Sequence, residues 1–379
     1  MWRGTPGRGP PSPAVLGRTG PGRDQRAGAE GATSTPVPDR IRLEAAGRLL
    51  CSAFRSENVP LSGTQVREKM KPFQQWRFED LPELPRIPHP YFTARSEDVS
   101  LDSVAFGQIR LRVVTHGEGR PLLLLHGLMT SSYSWRYLLE PLGERFSLVI
   151  PDLPGSAGSP PLPERAHSPA ALATLLGELQ DHLAITGCPA VGNSLGGYVC
   201  MERALRSPGS FSSLVVIHAP AVPQRRLQLL HLAMKLPGVA SGLTWWIRRD
   251  PLRFAHKNVH YYDETLKSLE EARMYGEPLA TRPGAASFVR YLTDALDPGE
   301  LSRFAEELAR RRDGGESFPA PLLLVYARQD PIIPPTVGPK LHALIPEAGF
   351  EWFEESSHFV QVEKPDRLAP LLTEFLLAR

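Results

Sequence analysis

A serine held between glycines is the clearest chemical signal in this chain. Gly192-Asn193-Ser194-Leu195-Gly196-Gly197 fits the pattern G-x-S-x-G. It falls where a short apolar segment ending at Val191 gives way to a helix predicted from about Gly196, and that strand-to-helix context carries more weight than the pattern. A nucleophile on so sharp a turn sits in strained backbone, so Gly192 and Gly196 are the neighbours that must lack side chains. The helix start adds a positive dipole end and free N–H groups beside the serine oxygen. This arrangement suits attack by the Ser194 hydroxyl on a carbonyl carbon.

A serine hydroxyl is a weak nucleophile at neutral pH and needs a base. Eleven histidines compete for that role. His358 stands in the loop between a late strand and the last helix, where it can reach the top edge of a sheet. His126, in His126-Gly127, is expected to be a structural loop residue. The remaining histidines, His218 among them, are expected to be surface or satisfied polar groups. The base needs a carboxylate to fix its tautomer and stabilise the imidazolium. Asp330 follows the apolar run 321–326 and supplies it. Glu354 and Glu355 are rivals by proximity in sequence. The strand ending at Ile217 runs into His-Ala-Pro and offers no carboxylate. A tetrahedral intermediate needs two backbone donors, and the N–H groups of Leu195 and Leu128 are the candidates.

Elements that would hold these residues can be traced through the chain. Residues 109–114 alternate apolar and polar, as a strand with one exposed face does. The run at 121–125 is continuously apolar and that at 146–150 nearly so, as expected of strands buried on both faces of a parallel sheet, and further strands are read at 213–217 and 321–326. Ser168 and Pro169 form a start signal for a helix through Leu172, Leu175, Leu176, Leu179 and Leu183. Later elements are a helix over about 337–344, a strand over 350–353 and a helix over 367–377. Alternation of this kind predicts an α/β, doubly wound, mostly parallel sheet. Strand signals lapse between about 222 and 316, which predicts a helical cap inserted over the sheet. Trp245, Trp246 and Phe254 either line a pocket beneath it or form its core, with core favoured.

The 379 residues are 41% hydrophobic and 22% charged, near the soluble globular norm. A net charge of +2 gives no argument for nucleic acid or a membrane surface. Cys51, Cys188 and Cys200 are scattered, which fits reduced thiols and a cytoplasmic setting. Residues 1–40 are rich in Gly, Pro and Arg and are expected to be a disordered extension. Their arginines leave organelle import open. Residues 41–100 are expected to hold an amphipathic helix (41–54) and a proline-rich connector, and 101–379 the main domain. No phosphate-binding loop, dinucleotide fingerprint or metal-ligand spacing occurs, so no cofactor and no metal are expected. Neither nucleic acid nor stable membrane insertion is expected, and the oligomeric state is left open.

Taken together, His126-Gly127, Asp152-Leu-Pro-Gly155, Gly192-Asn-Ser-Leu-Gly196, the Asp330 strand end and the His358 loop resemble the cap-bearing branch of the α/β-hydrolase superfamily. The resemblance runs from about Val104 to the C-terminus. It implies the chain order serine, acid, histidine, which Ser194, Asp330 and His358 follow. The family's loop after its fourth strand often reads D-x-x-G-x-G-x-S, and here Ala157 replaces the second glycine. Haloalkane dehalogenases and epoxide hydrolases are similar around 126–135 but use an aspartate where Ser194 stands. Hydrolases of meta-cleavage ring-fission products share Gly-Asn-Ser-x-Gly-Gly but usually carry a Pro-Gly that is missing after His126-Gly127-Leu128. The resemblance therefore implies a serine hydrolase cleaving a carboxylic ester, or a related acyl bond, in a small apolar substrate through an acyl-enzyme. The alternatives are a C–C bond hydrolase with the same triad and a non-catalytic ligand-binding protein on this fold.

Overall fold

The computed structural model describes residues 72–378 apart from residue 163. The expected extension 1–40 and helix 41–54 lie outside the described residues.

Eight strands form one sheet. They are β1 (Arg95–Ser103), β2 (Gly107–His116), β3 (Arg120–Leu125), β4 (Phe146–Pro151), β5 (Ala190–Asn193), β6 (Leu214–Ile217), β7 (Leu322–Ala327) and β8 (Gly349–Phe353). Their order is β1-β2-β4-β3-β5-β6-β7-β8. β1 pairs antiparallel with β2, and β2 antiparallel with β4. All other neighbours are parallel. The expected doubly wound, mostly parallel sheet is the observed one. The continuous apolar runs sit at its centre, where Leu122 to Leu125 and Leu214 to Ile217 are wholly buried. β1 begins ahead of the boundary expected at 101. Its pattern is too thin to read, because among its nine residues only Val99 and Ser103 are buried.

Helices cover both faces. They are α1 (Leu139–Gly143), α2 (Pro169–His182) and α3 (Leu195–Arg206), with α10 (Val337–Leu344), α11 (Val360–Glu363) and α12 (Pro365–Leu377) near the C-terminus. α2 starts as its residues dictate: the Ser168 hydroxyl accepts from Ala171 N–H and Pro169 takes the first position. Between β6 and β7 the chain builds α4 (Arg225–Met234), α5 (Val239–Arg249), α6 (Pro251–Asn258), α7 (Leu269–Gly276), α8 (Arg282–Arg290) and α9 (Pro298–Asp313).

The described part of the proline-rich segment is a strap laid across these helices. Prolines keep it from continuous helix, and only two short 3-10 turns form, at Phe78–Asp80 and Tyr91–Thr93. Its carbonyls at Pro82 and Glu83 accept from Leu269 and Glu270 N–H at 2.8 and 3.1 Å, satisfying donors that the first turn of α7 would leave unpaired. Gln75 donates to the His256 carbonyl at 2.9 Å, and Tyr91 and Ser132 share a hydrogen bond of 2.7 Å.

Candidate active site

The parallel register brings the C-terminal ends of β3, β5, β6, β7 and β8 to one edge. Leu125 pairs with Gly192, Asn193 with Ile217, Ile217 with Val325 and Ala327 with Phe353. Residues just past these ends meet there, as expected for an open α/β sheet.

Ser194 joins β5 to α3 with φ 54° and ψ −119°. A non-glycine residue in that region stores strain that the surroundings must hold. Its N–H donates to the Ile217 carbonyl at 2.7 Å. A Cβ on Gly192 would lie 2.5 Å from the Gly197 Cα, and one on Gly196 would overlap the carbonyl oxygens of Leu125 and His126. The glycines flanking Ser194 thus let α3 start directly against β3 and β5.

Asp330 is 2% exposed. One carboxylate oxygen, Oδ1, accepts from Ile332 and Ile333 N–H at 2.6 and 2.9 Å. The other, Oδ2, lies 2.7 Å from His358 Nδ1 and 2.8 Å from His218 Nδ1. Burial works to raise this carboxyl, but the two imidazoles outweigh it and hold it well below the usual carboxylate range. His218 is the partner that sequence reasoning missed. It stands at the end of β6, next to β7, in the His-Ala-Pro noted for lacking a carboxylate. Instead of being a surface group it is completely buried, with φ 55°. Its Nε2 accepts from Ala327 N–H at 3.2 Å, so the proton sits on Nδ1 and faces Asp330. The approach is close but poorly aligned as a hydrogen bond. Burial pushes its pKa below the ordinary histidine range although Asp330 pulls the other way.

The His358 loop is fixed from two sides. Asn193, immediately before Ser194, donates through Nδ2 to the His358 carbonyl at 3.2 Å. Glu363 accepts from Ser357 N–H at 2.6 Å, from the Ser356 and Ser357 hydroxyls, and from Tyr262 N–H. Burial pushes the Glu363 pKa up to about 7, against the pull of the Ser357 donors. Glu354 and Glu355 are exposed, and Glu354 pairs with Arg328 at 3.0 Å. His126 is buried between two backbone groups: Nδ1 donates to the Gly127 carbonyl at 2.8 Å and Nε2 accepts from Leu153 N–H at 2.9 Å. Burial lowers its pKa to about 4. In the loop after β4, Ala157 adopts φ 43°, so the turn forms without the expected glycine. Asp152 anchors that loop by accepting from Ser132 N–H at 2.7 Å.

Ser194 and His358 line one cavity of about 740 Å³, open space at its mouth included. No hydrogen bond joins them among the described contacts, and serine–base pairs are often loose before substrate binds. Leu128 and Leu195 line the same cavity. Leu195 is the first residue of α3, where N–H groups lack intrahelical acceptors. Leu227, Phe254, Phe288, Leu296, Ile332 and Phe359 make most of the remaining wall apolar. Arg226 also faces in, with its Nε on Gln224 Oε1 at 3.1 Å. A smaller lobe of about 400 Å³ shares Leu128, Met129, Leu195 and Phe288 with this cavity. Of the cap aromatics, Phe254 lines the cavity and Trp246 packs edge-on against it at 5.5 Å. Trp245 belongs to neither expectation: α5 buries Leu243 and Ile247, which leaves Trp245 52% exposed. His218, Asp330 and His358 are the one His/Cys/Asp/Glu group close enough to share an ion among the described residues, and all three are buried.

Residues 120–365 match the family model of the α/β-hydrolase fold, so the chain belongs to that family. It is 23% identical to the uncharacterized hydrolase YugF of Bacillus subtilis, over 67% of this chain and 89% of that one. It is 26% identical to the 2-hydroxymuconate semialdehyde hydrolase of a Pseudomonas species, over 74% and 95%. Among solved structures, the meta-cleavage product hydrolase CumD of Pseudomonas fluorescens superposes with a TM-score of 0.55 at 21% identity, covering 74% of this chain and 97% of that one. That likeness establishes the fold alone.

Proposed function

We propose that this protein is a serine hydrolase that cleaves a carboxylic ester of a small, largely apolar substrate. The observation that carries the reading is a strained serine and a carboxylate-bound histidine on the wall of one apolar cavity. In this mechanism Ser194 Oγ attacks the carbonyl carbon while His358 Nε2 takes its proton. Asp330 holds the Nδ1–H and balances the imidazolium. The oxyanion is received by the N–H groups of Leu195 and Leu128. Collapse of the intermediate breaks the C–O bond, and His358 gives its proton to the leaving alkoxide. Water, deprotonated by the same histidine, then releases the acid and restores Ser194.

A second reading, C–C bond hydrolysis by the same residues, draws support from the relative named for 2-hydroxymuconate semialdehyde. The ratio of turnover on a short aryl ester to turnover on a meta-cleavage ring-fission product distinguishes the two, and turnover of either separates both from a non-catalytic binder. Wild type is expected to release phenol from a short aryl ester and to be labelled by a fluorophosphonate at Ser194. Ser194→Ala is expected to fold, stay unlabelled and lose on the order of 10⁶ in kcat, as triad serines do. A folded wild type that neither labels nor releases phenol would remove the reading.

A further inference from the structure

Four of the large apolar side chains most open to solvent lie together in sequence on the first two cap helices. Leu229, Leu232, Leu236 and Trp245 are 62%, 64%, 59% and 52% exposed. α4 turns Leu227, Leu230 and Met234 inward. Leu229 and Leu232 form a stripe on its other side, which Leu236 continues just past the helix end. α5 buries Leu243 and Ile247 and leaves Trp245 outside. α4 therefore bears a second apolar stripe beyond the one its core contact uses, which an ordinary amphipathic helix does not need, and α5 adds one exposed tryptophan beside it in sequence.

Charge on this stretch is one-sided. From Arg225 through Arg249 the chain carries Arg225, Arg226, Lys235, Arg248 and Arg249 and not one aspartate or glutamate. Arg225, Lys235, Arg248 and Arg249 are exposed. The Arg249 guanidinium lies 5.8 Å from the centre of the Trp245 ring, a pairing of aromatic body and cation common where one end of a surface is apolar and the other wet. Elsewhere on the cap the charges are mixed: α9 pairs Arg303 with Glu300 and Arg310 with Glu307.

We propose that the outer face of α4 and α5 docks on an anionic lipid bilayer. Leu229, Leu232, Leu236 and Trp245 enter the boundary between headgroups and acyl chains, and Lys235, Arg248 and Arg249 pair with lipid phosphates. Exposed leucines among several exposed cations fit that surface, and the nearby carboxylates Asp250 and Asp297 are held by Arg253 and His231. A second copy of this chain fits poorly, because a two-fold contact would set the same cations against each other. The contact proposed is with the bilayer surface, and no helix among the described residues is long and apolar enough to span one. Docking does not depend on the catalytic reading, although α4 also gives Arg226 and Leu227 to the cavity wall.

The full chain should be sedimented with vesicles of phosphatidylcholine containing phosphatidylglycerol, and with phosphatidylcholine alone, at low and high salt. Wild type is expected to pellet with the anionic vesicles at low salt and to be released by high salt. Lys235→Gln/Arg248→Gln/Arg249→Gln should weaken binding about 100-fold, given roughly 1 kcal/mol per basic residue at such a surface. Leu229→Ser/Leu232→Ser should weaken it with the charges intact. All five positions are exposed, and unchanged thermal melting would show that the variants fold. Wild type that stays in solution, or variants that pellet as wild type does, would overturn the proposal. So would a vesicle-free dimer that the leucine variants dissociate, since the face would then be an interface between copies.

Discussion

At the residue scale, the unusual feature is an aspartate oxygen approached by two imidazoles. His218 has its proton fixed on Nδ1 by the Ala327 N–H, so it can neutralise part of the Asp330 charge that His358 also draws on. His218→Phe keeps the ring volume and removes the Nδ1–H beside Asp330. It is expected to lower kcat for an aryl ester about fivefold with KM little changed, the scale of one modest polar contact. His218→Asn keeps a donor and tolerates the left-handed backbone, so it should recover most of the loss. A kcat equally low in His218→Asn and His218→Phe would leave His218 a packing residue. Ser194, Asp330 and His358 were legible as candidates because G-x-S-x-G, a strand-end aspartate and a late loop histidine each carry a local pattern. His218 carries none: its meaning depends on β6 lying beside β7, which is a fact of sheet order.

At the element scale, the β5–α3 junction is the tightest joint near the site. The helix can begin where it does only because Gly196 presses on the carbonyls that end β3. Gly196→Ala must push those strands apart or shift α3, and backbone cannot yield as a side-chain tip can. Overpacking of this kind costs about 1–3 kcal/mol. The expected result is a lower urea midpoint together with loss of fluorophosphonate labelling, because the strained Ser194 geometry relaxes. A stable, labelled Gly196→Ala would contradict the close approach. The glycine pattern made this joint legible in sequence. β1 was not, since a strand with seven of nine residues unburied has almost no periodicity to read. The strap was also unreadable as such, because its prolines identify a chain without helix but not the α7 donors that it satisfies.

Over the whole molecule, buried histidines and buried carboxyls pull stability in opposite directions as pH falls. His126 is wholly buried with its pKa lowered to about 4, and His167, lowered by burial to about 4, is likewise inside. The unfolded chain binds these protons near the ordinary histidine value, while the folded chain refuses them until about 4. Their stabilisation is therefore complete above about pH 6.5 and is lost as pH falls toward 4, by on the order of 3 kcal/mol for each group. Asp330 is depressed and adds its loss only below the usual carboxylate range. Glu363 and Asp152, raised by burial to about 7 and about 6, work the other way, because the folded chain takes up their protons before the unfolded chain does. The histidine share is read by difference: the urea midpoint of His167→Phe relative to wild type should rise as pH goes from 6.5 to 4.5. A difference that stays level over that window would mean that His167 is not held neutral by burial.

The sequence by itself determined the sheet's buried strands, the place of the helical insertion, the turn that carries Ser194 and the two residues that follow it in chain order. Each rests on a short-range rule: apolar runs, start signals, or glycines at a turn. Tertiary structure alone decided what converges. It set His218 against Asp330, laid the strap on α7, placed Ser194 on the wall of an apolar cavity and left Leu229 and Leu232 of α4 and Trp245 of α5 exposed. These outcomes depend on strand order and on which face of a helix meets the core, and residues distant in sequence can reveal neither until the chain is packed.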